Sequence, residues 1–158
     1  MKTLVLYFSH TGQTGQVAKE IARHCAADLE AVRLVHPTQS IWRTLWQALT
    51  RAHPPIHKPV RNPRFYDLVV IGAPVQGNGV AAPMRAYLQK YAERFNQVAF
   101  FCAESSGTPD SGFAEMHRLC GKRPAATLAI ETHRLPAAAH KKEMAEFLAD
   151  AGLVSRLY

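Results

Sequence analysis

Apolar residues follow two different spacings along this chain. Three short runs carry almost no polar alternation: "TLVLYF" from Thr3, "YDLVVIGAP" from Tyr66 and "VAFFCA" from Val98. Such runs are expected of strands covered on both faces. Between them the apolar positions fall three and four residues apart. Val17, Ala18, Ile21, Ala22 and Cys25 predict a helix over Gln13–Ala27. "LEAVRLV" from Leu29 predicts a second strand, and "ATLAIETH" from Ala126 a fifth. Further helices are predicted over Pro83–Ala92, where Pro83 suits a first turn, over Gly112–Leu119, and over Ala138–Ala151, closed by Gly152. Ser40 suits the cap of one more helix, with Trp42, Leu45, Trp46 and Leu49 on one face and Pro54 and Pro55 ending it.

Strand alternating with helix five times predicts an α/β fold: a three-layer, doubly wound, five-stranded parallel sheet with helices on both faces. Ligands of such sheets sit outside the carboxyl ends of the strands, near the point where strand order reverses. Three loops rich in Gly, Ser, Thr and Pro would meet there: Ser9–Thr14, Pro74–Gly79 and Glu104–Asp110. A chain of 158 residues suits a single domain, 1–158, able to bury its own core.

Composition narrows the classes. Cys25, Cys102 and Cys120 are few, odd in number and never spaced C-x-x-C, which argues against a disulfide framework or zinc site and suits a reducing cytosol. The apolar run at Thr3–Phe8 is too short for a signal-peptide core, and no segment has the length of a membrane span. A cytoplasmic protein is expected. The net charge of +7 is concentrated: between Ala31 and Tyr66 there is no Asp or Glu, while Arg33, Arg43, Arg51, Lys58, Arg61 and Arg64 all fall there. Either these are solvated loops, or they attract an acidic partner or substrate. No nucleic-acid module is recognisable, and basic residues do not alternate with aromatics on a strand, so nucleic acid is not expected.

The first loop joins a strand directly to a helix. The first N–H groups of a helix have no partners within it, and its dipole favours negative charge there. A phosphate can accept those N–H groups, with hydroxyls from Ser9, Thr11 and Thr14 completing its shell and Gly12 allowing close backbone approach. The P-loop pattern of nucleotide triphosphatases, with its lysine, is absent. An ordinary polar-capped helix start would use the same residues, so the loop alone leaves both readings open.

The stretch "SHTGQT", Ser9–Thr14, resembles the T/S-x-T-G-x-T phosphate loop of flavodoxins and flavodoxin-like oxidoreductases. The resemblance continues in "YDLVVIGAPV" followed by "AAPMRAYL", and in "FFCAESSGT" at the position of a third flavin-contacting loop. It covers most of the chain and implies the strand order 2-1-3-4-5 and the cofactor FMN. By position, Ser9, His10, Thr11, Gly12, Gln13 and Thr14 would hold the phosphate. Pro74, Val75, Gln76, Gly77 and Asn78, with Glu104, Ser105, Ser106 and Gly107, would flank the isoalloxazine ring. Backbone N–H groups near the ring would stabilise its reduced anion, and a carbonyl near Gly77–Asn78 would accept from N5–H. One position departs from the family's pattern: Gln76 stands where relatives often carry a stacking Trp or Tyr, and the third loop has no aromatic before Phe113. Trp42 or Trp46 would have to reach the ring from elsewhere, or else fill the helix–sheet core.

Other constellations are weaker. "GNGVAA" at Gly77 matches a dinucleotide fingerprint loosely but follows the third strand, with only Glu93 downstream as a ribose-binding acid. Cys102 has Thr108 where a phosphatase C-x5-R motif needs arginine. His53 and His57 are separated by two prolines and cannot share a helical face, so no metal pair is expected. The resemblance therefore implies an FMN-binding redox protein that reduces a quinone or similar acceptor with NAD(P)H, given that electron-carrier flavodoxins are usually acidic. A flavodoxin-type carrier and a flavin-less binding module of the same fold remain the alternatives. The partner is a redox protein or small-molecule acceptor, and a homo-oligomer is compatible with the sequence.

Overall fold

The structure is a computed structural model and describes residues 1–35, 54–76, 79–103, 108–131 and 140–154. In chain order its elements are β1 (Thr3–Tyr7), α1 (Gln13–Cys25), β2 (Asp28–Ala31), β3 (Leu68–Gly72), β4 (Val75–Gln76), β5 (Gly79–Val80), α2 (Ala82–Tyr91), β6 (Gln97–Cys102), α3 (Pro109–Cys120), β7 (Thr127–Ala129) and α4 (Lys141–Asp150). The main sheet runs β2-β1-β3-β6-β7, with every pairing parallel. Taking those five strands in sequence, the order is 2-1-3-4-5, as expected. β4 and β5 form a separate antiparallel hairpin.

Strand alternation sorts the core into two layers. Val5, Val70, Ala99 and Phe101 face α1 and α4, meeting Ile21, Met144 and Phe147. Leu4, Leu6, Val69, Ile71, Val98 and Phe100 face the other way, against Met84, Leu88 and Met116 of α2 and α3. β3 is buried along its whole length, which is why its sequence is continuously apolar. Each fully buried Leu, Ile or Phe contributes roughly 1.5–3 kcal/mol, so these two layers supply the main stabilisation.

Several boundaries differ from expectation for local reasons. α3 begins at Pro109 rather than Gly112, because Thr108 takes an extended N-cap conformation, Pro109 sits at the first turn and Ser111 Oγ donates to the Thr108 carbonyl at 2.8 Å. β2 stops at Ala31, and beyond it Leu34 bridges Ile56 in antiparallel fashion. The chain then passes along the outer side of this edge strand: Arg61 N–H donates to Glu30 Oε1 at 2.8 Å, and its guanidinium lies 3.7 Å from Asp28. An edge covered this way is protected from adventitious pairing. β7 is shorter than expected at three residues. α4 begins at Lys141 and is followed by Gly152, whose φ is +71°. The helix expected after Ser40, with Trp42 and Trp46, lies outside the described residues.

Candidate functional site

The register places the site. Tyr7 pairs with Gly72, and Gly72 with Phe101, so β1, β3 and β6 end side by side. Their onward loops therefore leave one edge of the sheet. From β1 the chain crosses to one side, into β2, and from β3 to the other, into β6. The edge between β1 and β3 is thus the reversal point at which doubly wound sheets bind ligands.

At this edge the β1–α1 junction is built around Ser9. Its Oγ accepts the Gly12 N–H at 3.0 Å and the Gly15 N–H at 3.1 Å, tying the loop to the first turn of α1. Gly12 is the residue before the helix and adopts φ +96°, ψ −11°, with nothing within 4 Å of where a Cβ would be. Glycine is required here by backbone angle, which sharpens the simpler idea of close approach. Gly15 is the tight contact instead: a Cβ there would lie 3.2 Å from the Tyr7 ring and 3.6 Å from Ser9. Nothing in the motif resemblance pointed to Gly15. Thr14 is fully buried, whereas His10, Thr11 and Gly12 are exposed at the mouth. The first turn of α1 contains no acidic residue, and Arg23 and His24 lie in its last turn. Arg23 complements the dipole at the C-terminus, and no carboxylate neutralises it at the N-terminus.

The second loop begins with Pro74, which is buried and accepts the Ala81 N–H at 2.9 Å. Val75 pairs with Val80 and Gln76 with Gly79, making a short hairpin that stands on the β3 edge. Gly72 beneath it admits no side chain, since a Cβ would lie 1.9 Å from the Phe101 ring. Tyr7 and Phe101 pack on the α1 and α4 face of the sheet at this end. Gly77 and Asn78 of the second loop, and Glu104, Ser105, Ser106 and Gly107 of the third, lie outside the described residues, as does His53. Among the residues expected at the site, the structure places Ser9–Thr14 directly after β1 and Pro74–Gln76 directly after β3, at the same edge of the sheet. The third loop departs from Cys102 at the neighbouring strand end.

Two of the thiols, Cys25 and Cys120, are poor nucleophiles. Burial pushes Cys120 up to about 12 and raises Cys25 as well, so neither is an activated thiolate. Among the described residues no cluster of three or more His, Cys, Asp or Glu side chains could hold a metal ion.

Comparison of the whole structure with solved ones gives a consistent answer. A flavoprotein from Lactobacillus acidophilus, solved in complex with FMN, matches 85% of this chain and 95% of its own, with a TM-score of 0.67 and 24% identity. A candidate flavoprotein from Bacteroides eggerthii matches 96% and 98%, with a TM-score of 0.74 and 19% identity. An oxidised flavodoxin from Bacillus cereus matches 96% and 97%, with a TM-score of 0.60 and 15% identity.

The fold is flavodoxin-like.

No family model matches the sequence, and no curated protein does. The flavodoxin-like fold is therefore established through strand order and shape rather than through sequence identity. Among the described residues no helix is long and apolar enough to cross a membrane.

Proposed function

We propose that this chain is a single-domain flavoprotein that binds FMN at the flavodoxin-like loop cluster and reduces a quinone or similar small acceptor with NAD(P)H. The observation that carries the reading is the β1–α1 junction. A helix N-terminus without carboxylates, a glycine at φ +96° and a Ser9 hydroxyl buttressed by two backbone N–H groups suit a phosphate monoester. The Ser9 oxygen accepts twice from the backbone and so fixes the loop against the first turn of α1. Thr11 and His10 are exposed at the mouth, within the same loop. This donor set fits FMN, and the complex of the Lactobacillus acidophilus protein with FMN supports it.

Ser9 to Thr14 would hold the phosphate, and the loops after β3 and β6 would flank the ring. Bound FMN supplies hydride and electron-transfer chemistry. The chain's own part is to fix that group's position, exclude water from the β3 edge and present backbone N–H groups to developing negative charge. Arg33 and Lys58 favour an enzyme over a carrier. Both are exposed near the carboxyl end of β2, next to β1, where cations attract the phosphates of a nicotinamide dinucleotide. Arg61 is different, since the acids of β2 already engage it.

The test is a titration of the purified protein with FMN, followed by NADH- or NADPH-driven quinone reduction. Flavin binding with turnover supports the enzyme. Flavin binding without turnover supports the carrier, and no flavin binding supports a flavin-less binding module.

A further inference from the structure

The β4–β5 hairpin is too short to hold itself, yet it carries the second loop of the proposed flavin site. Two-stranded hairpins are marginal in water even when longer. This one is seated on α3. At one point Gly112 of α3 faces Val75, and a Cβ on Gly112 would lie 2.3 Å from Val75 Cγ2. One turn later Glu115 faces Gly79, and a Cβ there would lie 2.6 Å from the carboxylate. The two glycines, one on each partner, let hairpin and helix approach within side-chain distance.

Glu115 and Arg85 then lock the seat. Glu115 Oε1 accepts the Val80 N–H at 3.2 Å and Arg85 Nε at 3.1 Å, while Arg85 Nη2 donates to the Val80 carbonyl at 3.0 Å. Both backbone groups of Val80 are thus engaged by side chains, one from α2 and one from α3. The pair substitutes for a further strand. Arg118 stands 3.6 Å from the other Glu115 oxygen and adds positive charge to the same carboxylate. The Glu115 side chain is only 15% exposed, so its interactions are weakly screened.

We infer that Glu115 and Arg85 are positioning residues for the ring end of the flavin site, tying the hairpin that carries its second loop to α3, the helix that follows its third in sequence. The coupling follows from connectivity. α3 starts directly after the third loop, at Pro109, and its Glu115 holds the outgoing strand of the second loop. Displacing α3 therefore displaces β5 and with it the seat of the hairpin. With Gln76 in place of a stacking aromatic, fixed placement of β4 and β5 contributes to holding the ring. Preorganisation of this kind lowers the ordering cost of binding. The inference rests on the FMN reading above.

The experiment compares FMN with riboflavin, which lacks the phosphate, on wild type, E115A, E115Q and T11E. Titrations are followed by flavin fluorescence and by the absorption spectrum of the bound flavin. Val80 amide exchange is measured alongside. E115A is expected to weaken both flavins by the same factor, roughly tenfold, the effect of one charge-assisted hydrogen bond. It should also shift the bound-flavin spectrum and release Val80 amide protection. E115Q, which keeps an acceptor for Val80 N–H, should recover most of the affinity. T11E should weaken FMN and spare riboflavin. Wild-type flavin affinity and spectrum in E115A overturn the positioning role, and so does a loss confined to FMN. Failure of the wild type to bind either flavin overturns the functional reading itself, and that outcome is distinct from the previous two.

Discussion

Replacing Gly12 with alanine isolates the backbone's contribution to the proposed phosphate cradle. An added Cβ meets nothing within 4 Å, so the substitution introduces no clash. What it introduces is strain, because Gly12 sits at φ +96°. A left-handed backbone costs an L-residue roughly 1–2 kcal/mol, and this angle lies beyond the usual basin near +57°. The upper figure, about 2 kcal/mol, therefore applies. Relaxing the turn to shed part of that strain moves the Gly12 and Gly15 N–H groups away from Ser9. In G12A, urea denaturation should show a loss of about 2 kcal/mol, and FMN affinity should fall at least roughly tenfold. G12N should fall between wild type and G12A, since Asn tolerates positive φ best among side-chain-bearing residues. Gly121 provides the control: its φ is +65°, its Cβ position is also open, and it closes α3 far along the chain from the cradle. G121A should cost about 1 kcal/mol in stability and leave FMN affinity unchanged. Wild-type FMN affinity in G12A, or an equal loss of affinity in G121A, would show that the Gly12 backbone does not shape the cradle.

Three further outcomes are expected. Thr11→Glu, which places a carboxylate at the exposed mouth of the cradle, should weaken FMN binding by roughly tenfold or more, measured by fluorescence titration. Gly72→Ala forces a Cβ to within 1.9 Å of the Phe101 ring and should cost about 3 kcal/mol or more in urea denaturation; an unaltered midpoint would contradict the packing described. Burial raises Cys120 from 9.0 to about 12, so the folded state holds its proton where the unfolded state releases it. That contribution is intact below pH 9, and it is lost as pH rises toward 12. Stability should therefore fall less between pH 7 and pH 10.5 in Cys120→Ala than in wild type; equal losses would show the thiol to be uninvolved.

Much of this organisation is legible in the sequence, and the reasons are local. β1, β3 and β6 are covered on both faces, so "TLVLYF", "YDLVVIGAP" and "VAFFCA" carry the signal of a parallel sheet without needing distant partners. The Ser9–Gly12 contact spans three residues, and a turn of that size is encoded in its own composition. Boundaries were less legible: Pro109 and Thr108 start α3 earlier than its apolar spacing does, because capping rather than periodicity decides the first turn. The hairpin seat was not legible at all. Glu115 lies 35 residues from Val80 and 30 from Arg85, and nothing in the local pattern distinguishes it from a solvated helix acid. Gly79 and Gly112 were visible as glycines, but only the packed structure shows that each makes room for the other partner's side chain. The basic segment resolves in part: Arg61 is tied to Asp28 and Glu30 on an edge strand that the composition alone did not pair with it.

The proposed function stands or falls with the β1–α1 junction as a cradle for a flavin phosphate. Parallel titrations of the wild-type protein with FMN and with riboflavin, read by fluorescence quenching, test it most directly. Both flavins should bind saturably at one site per chain, with FMN bound more tightly because only it carries the phosphate. Equal affinity for the two flavins, or no quenching by FMN, would contradict it.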